Sequence, residues 1–323
     1  MAEQPLVSII TPSYNQAAFI EATIQSVLEQ DYPNIEYLVI DGGSTDGTPD
    51  ILRRYEDRLR WVSEPDQGQA DAINKGMRAA TGQILGWLNS DDLYVPGAVR
   101  TVVDVFTQQP EAMFVYGDAI AIDEQDKNYG IRIHVHQTNA EELVQIGDPI
   151  VQPASFWRAE VWQTCGELDL SLRYTLDYEY WMRVAKRYPM TYIPVVLAKE
   201  RLYADAKTFK GAIERVDELE AVAQRHGGTG IARRFSGEGA AAYANRGVSR
   251  LIRGQWKSAR GDFARARALQ PDSKRFILFF GVSTVFGSKA IAQARLFQND
   301  RLQSRKQDVS LPAQNIEESH SDS

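Results

Sequence analysis

Short apolar runs closed by polar, proline- or glycine-bearing turns alternate with segments of helical spacing. Leu6-Val7-Ser8-Ile9-Ile10 predicts a strand, and Thr11-Pro12-Ser13-Tyr14-Asn15 predicts the loop that follows it. Phe19, Ile20, Ile24, Val27 and Leu28 then recur on one helical face over 18–30. Tyr37-Leu38-Val39-Ile40 is a second strand, running into Asp41-Gly42-Gly43-Ser44-Thr45-Asp46-Gly47-Thr48. A helix over 49–55 opens on Pro49, a residue suited to the first helical position. A third strand over 59–63 closes at Glu64-Pro65-Asp66-Gln67-Gly68 and leads to a helix over 70–80. Ile84-Leu85-Gly86-Trp87-Leu88 is a fourth strand, and it runs directly into Asn89-Ser90-Asp91-Asp92. The repeated strand–loop–helix order predicts a mostly parallel sheet flanked by helices, with its loop chemistry at the carboxyl ends of the strands.

The pattern continues with a helix over 97–108 and a strand over 113–118. It then predicts a hairpin or edge strands across 119–135, a strand over 152–157 and a helix over 159–165. A helix preceded by Tyr174-Thr175-Leu176-Asp177 ends near Lys186, and a last strand covers 192–197. The domain they form is expected over 1–205, with a helical extension over 206–302. Within the extension, Tyr243, Gly247, Ala259, Phe263, Ala266 and Pro271 match one tetratricopeptide-like hairpin at about 240–272. A helical hairpin with coincidental spacing is the other reading. The apolar segment at 276–286 suits either a buried helix or an interfacial segment on lipid, and 303–323 reads as a disordered tail.

Composition narrows the class. The chain has 323 residues, 43% hydrophobic and 24% charged, as a globular protein with a sizeable core does. Cys165 is the single cysteine, which excludes an internal disulfide and a cysteine-based zinc site and fits a reducing, cytoplasmic setting. No run is long and apolar enough to span a bilayer, and no secretory signal is expected at the start. The net charge is −7, yet nine Lys/Arg stand against two Asp between Arg246 and Arg275. An acidic body argues against nucleic acid as a partner. The basic run leaves peripheral contact with an anionic membrane, at the inner face of the plasma membrane, or with an acidic partner.

The oxygen-rich turn at 89–92 has two adjacent carboxylates, the donor set that a hard cation such as Mg²⁺ or Mn²⁺ prefers. Taken alone, it reads first as a helix cap. Four stretches in order carry a resemblance: Ser-Ile-Ile-Thr-Pro-Ser-Tyr-Asn at 8–15, Val-Ile-Asp-Gly-Gly-Ser-Thr-Asp-Gly-Thr at 39–48, Trp-Leu-Asn-Ser-Asp-Asp at 87–92 and Leu-Asp-Tyr-Glu-Tyr-Trp-Met-Arg at 176–183. Together they resemble the family 2 glycosyltransferases, which are inverting, sugar-nucleotide-dependent enzymes with the GT-A fold. Many of these build bacterial surface polysaccharides or lipid-linked glycans.

The resemblance implies an α/β GT-A fold with a mostly parallel, Rossmann-like sheet and an α-helical C-terminal extension. It implies a UDP-, GDP- or dTDP-sugar donor and a glycan or lipid-linked acceptor. Thr11, Pro12, Ser13 and Tyr14 would line the base, with Asp41 contacting it. Many relatives read Asp-Asp-Gly-Ser where this chain has Asp41-Gly42-Gly43-Ser44. Asp66, Asp71 and Asn74 would complete the nucleotide pocket, although Asp66 and Asp71 also suit loop polarity and a helix N-terminus. Asp91 would contact ribose or metal, and Asp92 would ligate Mn²⁺ or Mg²⁺ on the pyrophosphate. Asn89 departs from the family's Asp-X-Asp. Asp177 would be the base that deprotonates the acceptor hydroxyl, with helix capping as its other reading. Tyr178, Tyr180 and Trp181 suit either core packing or a platform for sugar rings. Gln152, Ser155 and Arg158 would lie near the acceptor or diphosphate. The expected activity is inverting transfer of a sugar to a hydroxyl. The alternative is a non-catalytic nucleotide-sugar-binding scaffold with a helical, partner-binding tail.

Overall fold

The computed structural model describes residues 4–203, 207, 212–230 and 233–274. The segment at 276–286 and the tail from 303 lie outside the described residues. The chain divides into two compact units, one ending at Phe235 and the other beginning at Ser236.

The first unit begins with β1 (Val7–Ser13), α1 (Ile20–Leu28), β2 (Ile35–Asp41), α2 (Thr48–Arg53), β3 (Arg60–Ser63), α3 (Gln69–Ala79) and β4 (Ile84–Trp87). Then come β5 (Leu93–Tyr94), α4 (Ala98–Gln108), β6 (Phe114–Ile122), β7 (Asn128–Ile133) and α5 (Ala140–Gln145). A 3₁₀ turn at Gln152–Ala154 precedes β8 (Ser155–Arg158), α6 (Ala159–Cys165), α7 (Leu176–Ala185), β9 (Met190–Arg201) and α8 (Ala212–Arg225). The strands form one sheet in the order β3-β2-β1-β4-β8-β6-β9-β5, with β7 paired to β6. Strands β3, β2, β1 and β4 are mutually parallel. Beyond them the sheet is mixed: β8 runs antiparallel to both β4 and β6, β6 and β9 are parallel, and β5 is antiparallel to β9.

Several boundaries differ from the periodicity for identifiable reasons. Strand β1 continues through Thr11 and Pro12 to Ser13, where a loop was expected. Alternate β1 residues face β2 and β4 in turn: Ser13 O accepts from Gly42 N, and Ile10 O accepts from Leu88 N. Pro12 therefore turns its nitrogen toward the β4 side, where pairing has already ended at Ile10. The missing N–H costs no ladder bond. The last strand covers Met190–Arg201, longer than the apolar run that announced it, because β6 pairs with it as far as Ile122–Arg201. The two-residue β5 and the six-residue α5 are too short for periodicity to report.

Two packing details place the later chemistry. Helix α4 buries Val99, Val102, Val103 and Phe106 along one face. Helix α3 lies close on the sheet at Gly76, where a Cβ would stand 2.4 Å from Ile10 Cγ2. That approach fixes where α3 presents its first turn. Tyr178, Tyr180 and Trp181 are at most 2% exposed. They pack with Trp157, Trp162 and Phe235, so these aromatics are core rather than a platform for sugars.

In the second unit, Tyr243, Ala259, Phe263 and Ala266 are buried on α9 (Arg233–Ile252) and α10 (Trp256–Leu269). The buried Asp262 carboxylate pairs with Arg246 and Arg250, each at 2.9 Å. Among the described residues, no helix is long and apolar enough to cross a membrane.

Candidate active site

The carboxyl ends of β1, β2 and β3 form the first part of the site. Asn15 adopts a left-handed conformation, φ +53, which Asn tolerates better than most residues. Its amide donates to Ser44 Oγ at 2.7 Å, and its side-chain oxygen accepts from Thr45 N at 2.9 Å. Ala17 N donates to Asp46 and Gln16 N to Thr48, so the 14–17 and 44–48 loops are zipped together. Asp41 is fully buried, and its carboxylate accepts from Ser44 N at 2.9 Å, Ser44 Oγ and Ser63 Oγ at 2.6 Å.

Gly42 has a specific steric role. A Cβ there would stand 2.5 Å from Asp66 Oδ2. The Asp66 carboxylate therefore fills the space that a side chain at 42 would take. A carboxylate from the loop after β3 thus stands against the 41–44 loop. Asp66 Oδ1 accepts from Gly68 N at 2.8 Å, which holds it there.

Not all expected nucleotide residues converge. Ser13 is buried with its hydroxyl unpaired, and Tyr14 is largely exposed beside it. Thr11 is instead a core residue, its hydroxyl 3.1 Å from Tyr37 OH inside the sheet. Asn74 is likewise turned away. Its amide donates to Leu168 O at 3.0 Å and accepts from Leu168 N at 2.9 Å, which staples α3 to that loop. Asp71 accepts from Gln67 N at 3.1 Å and faces Lys75 at 3.4 Å.

The Asn89–Asp92 turn follows β4. Asn89 Oδ1 accepts from Trp87 Nε1 at 2.9 Å and from Gln69 Nε2 at 2.8 Å. Because an indole nitrogen only donates, that contact fixes the amide's orientation. Asn89 Nδ2 then donates to Asp92 Oδ2 at 3.3 Å and to Gln152 Oε1 at 2.8 Å. Asn89 is thus fully engaged as a brace, and the acidic donors are Asp91 and Asp92. Asp92 Oδ1 accepts from Arg201 N at 3.0 Å, and Asp91 Oδ2 accepts from Tyr203 OH at 3.0 Å. The buried Arg201 guanidinium holds Asp91 O and Asp123 O, pairs with Asp126 and stacks over Phe19.

Burial pushes the Asp91 carboxyl up, against the Tyr203 hydroxyl and the Arg201 charge. Burial pushes Asp92 up much further, helped by the charges of Asp91 and Glu200. Two adjacent carboxylates that resist ionisation fit a divalent cation, which would favour their charged forms. Among the described residues no group of three or more acidic, His or Cys ligands converges. The pair therefore suits an ion that draws its remaining ligands from water and substrate phosphates, as Mg²⁺ commonly does.

The third part is the N-terminus of α7. Thr175 is its N-cap residue and Asp177 stands one position inside the first turn. Asp177 Oδ1 accepts from Tyr178 N at 2.8 Å. Burial raises the Asp177 carboxyl, opposed by that bond and by the charges of Arg215 and Lys207. Glu179 points elsewhere, into a buried cluster with Arg183 at 2.9 Å and His226 at 3.3 Å. Arg158 is also remote in role: its guanidinium donates to Ala112 O and Phe106 O. Gln152 Nε2 donates to Trp87 O, and Ser155 Oγ donates to Gln152 O, so both support the Asn89 turn.

Two groups that the sequence did not single out, Lys207 and Glu200, join these parts. Lys207 Nζ donates to Gln69 Oε1 at 2.6 Å, extending the line Asp92–Asn89–Gln69–Lys207 across the site. Burial brings the Lys207 amine down to about 8, against the charges of Asp177 and Glu218. Burial, with the charges of Asp177 and Asp91, pushes the Glu200 carboxyl up to about 7. Glu200 thus lies within the fields of both the 91–92 turn and the α7 terminus, and Lys207 within that of the α7 terminus. No local motif marks either residue. The only available hint was their place at the end of, or just beyond, the last strand.

Residues 8–157 match the model of the Glycosyl transferase family 2. An uncharacterized glycosyltransferase of Rickettsia typhi is 29% identical over 230 residues, covering 68% of this chain and 70% of that one. The structure of S. aureus TarS 1–349 in complex with UDP-GlcNAc superposes with a TM-score of 0.55 at 13% identity, covering 91% of this chain and 92% of that one. The mannosyltransferase PcManGT of Pyrobaculum calidifontis, in complex with GDP-Man and Mn²⁺, gives a TM-score of 0.53 at 20% identity, covering 92% and 88%. The fold is GT-A, and the match over 8–157 and these relatives make the chain similar to family 2 glycosyltransferases.

Proposed function

We propose that the chain transfers a sugar, with inversion, from a nucleoside diphosphate sugar to a hydroxyl of a glycan or lipid-linked acceptor. The observation that carries this reading is the single site assembled from three parts of the sheet edge. Asp92 is hydrogen-bonded through Asn89 and Gln69 to Lys207, and Lys207 lies in the field of Asp177. Acidic donors and the base candidate are therefore joined through one network of hydrogen bonds and charges. Ser13, Tyr14, Asp41, Asp66 and Asp71 stand at the nucleotide end. Asp91 and Asp92 would hold Mn²⁺ or Mg²⁺, and such an ion supplies charge neutralisation on the departing diphosphate. Asp177 takes the proton from the acceptor hydroxyl. Its carboxylate is bonded once to Tyr178 N, and burial raises its basicity toward the working range of a general base.

A thermal-shift panel of UDP, GDP and dTDP, each with and without Mn²⁺, tests the donor half. A Mn²⁺-dependent stabilisation by one of the three is expected, since a ligand bound only by the fold raises its melting temperature. No shift with any of them would remove the nucleotide reading. The likeness of part of the chain to a Bacillus subtilis glycosyltransferase named for teichuronic acid biosynthesis, 47% identical over 93 residues and covering 28% of this chain and 37% of that one, supports a surface-polysaccharide setting. The basic run from Arg246 to Arg275 supports contact with an anionic membrane face. Flotation of the full chain with anionic but not neutral liposomes is the corresponding test.

A further inference from the structure

Helix α7 begins without a side-chain cap of its own: Thr175, its N-cap residue, makes no side-chain capping bond to the helix. The polar groups just ahead of it are satisfied from another element. Glu218, in the middle of α8, accepts from Arg173 N at 2.9 Å and from Tyr174 N at 2.7 Å. It also accepts from Thr175 Oγ1 at 3.2 Å. One carboxylate thus fixes three consecutive residues, and the third is the N-cap of the helix that carries Asp177. A negative charge at this end is also favoured by the helix dipole.

The same helix supports α7 elsewhere. Arg215, one turn before Glu218, lies in the field of Asp177. Arg225, at the end of α8, pairs with Asp169 at 2.6 Å, and His226 just beyond it meets Glu179 at 3.3 Å. Helix α8 therefore straps both the segment leading into α7 and the face of α7 opposite Asp177. Among these contacts, only the Glu218 clamp grips the residues that set the direction of the first turn.

We propose that Glu218 is a positioning residue for Asp177, anchoring the residues that lead into α7 and thereby aiming the base at the acceptor. The proposal rests on reading Asp177 as the base. Glu218 acts through the Arg173 and Tyr174 amides and the Thr175 hydroxyl, and its charge also bears on Lys207. Misplacement of a catalytic group by about 1 Å is enough to cost on the order of a hundredfold in rate.

The test uses the full chain with Mn²⁺ and a panel of UDP-, GDP- and dTDP-sugars, reading release of the nucleoside diphosphate. Glu218→Ala and Glu218→Gln are compared with wild type and with Asp177→Asn, alone and combined. Glu218→Ala is expected to lower kcat on the order of tenfold to a hundredfold, with donor KM within about twofold. Glu218→Gln, which keeps one acceptor oxygen, should fall between Glu218→Ala and wild type. In the Asp177→Asn background, Glu218→Ala should cause no further loss, because the group it aims is already disabled. An unchanged kcat, a change confined to KM, or a full additional loss beside Asp177→Asn would each overturn the proposal. If Asp177→Asn itself matches wild type, the base assignment fails, and the positioning role fails with it. Amide hydrogen exchange is read on the same samples and needs no turnover. Exchange at 173–178 should quicken in Glu218→Ala while melting shifts little, and unchanged exchange there would refute the clamp whatever the donor.

Discussion

At the scale of single residues, the site turns on who holds whom. Asn89 looks like a weakened metal ligand in the sequence, yet it is a brace between Trp87, Gln69, Asp92 and Gln152. Restoring the acidic residue should therefore do harm. Asn89→Asp removes the donor to Asp92 and Gln152 and sets a third carboxylate against the pair. Leaving such groups unpaired costs about 1–3 kcal/mol, so melting temperature should drop and Mn²⁺ affinity, measured by calorimetry, should fall rather than rise. Gly42 gives the complementary prediction. In Gly42→Ala the new methyl meets only the end of the Asp66 side chain, which can swing aside. Stability should barely change, while affinity for the preferred nucleoside diphosphate falls by about tenfold, near 1.4 kcal/mol. An unaltered affinity would show that Asp66 takes no part in the pocket.

At the scale of elements, the strand and helix series was legible because β1, β2 and β4 hold apolar runs with a turn behind them, while the half-polar, largely exposed β3 is marked by Trp61-Val62 and the turn at 64–68. What the pattern did not reveal was tertiary. Thr11 and Asn74 sit beside the site in sequence, but one faces Tyr37 in the sheet and the other Leu168 across a loop. Glu200, Lys207 and Glu218 acquire their roles only when the end of β9 and helix α8 reach Asp177. That proximity has no sequence spacing to announce it. The docking of α3 offers a test in which two magnitudes compete. Gly76→Ala gains about 1 kcal/mol of helix propensity but drives a methyl into Ile10, and overpacking a core costs about 1–3 kcal/mol. The net result should be destabilisation in urea unfolding.

At the scale of the whole molecule, the buried carboxylates set a pH dependence that a cation should reverse. Burial raises Asp91, Asp92 and Asp177, and it takes Glu200 to about 7 together with the charges of Asp177 and Asp91. Groups whose folded pKa lies above the unfolded value stabilise the fold at low pH, and that stability is lost as pH rises through the folded pKa. The depressed groups, such as Glu36 and Asp118, are ionised in both states above about pH 5 and add no slope there. Metal-free protein should therefore melt lower at pH 7.5 than at pH 5.5. Added Mn²⁺ should raise the melting temperature more at pH 7.5, where binding need not displace protons. Equal Mn²⁺ shifts at both values would contradict the pairing of cation and carboxylates. The central claim, that the 91–92 turn and Asp177 serve one transfer reaction, is tested most directly by nucleoside diphosphate release from a nucleotide-sugar panel with Mn²⁺. Asp92→Ala should lose on the order of a hundredfold or more, and Asp177→Asn a comparable factor. Wild-type rates in both variants would contradict the account.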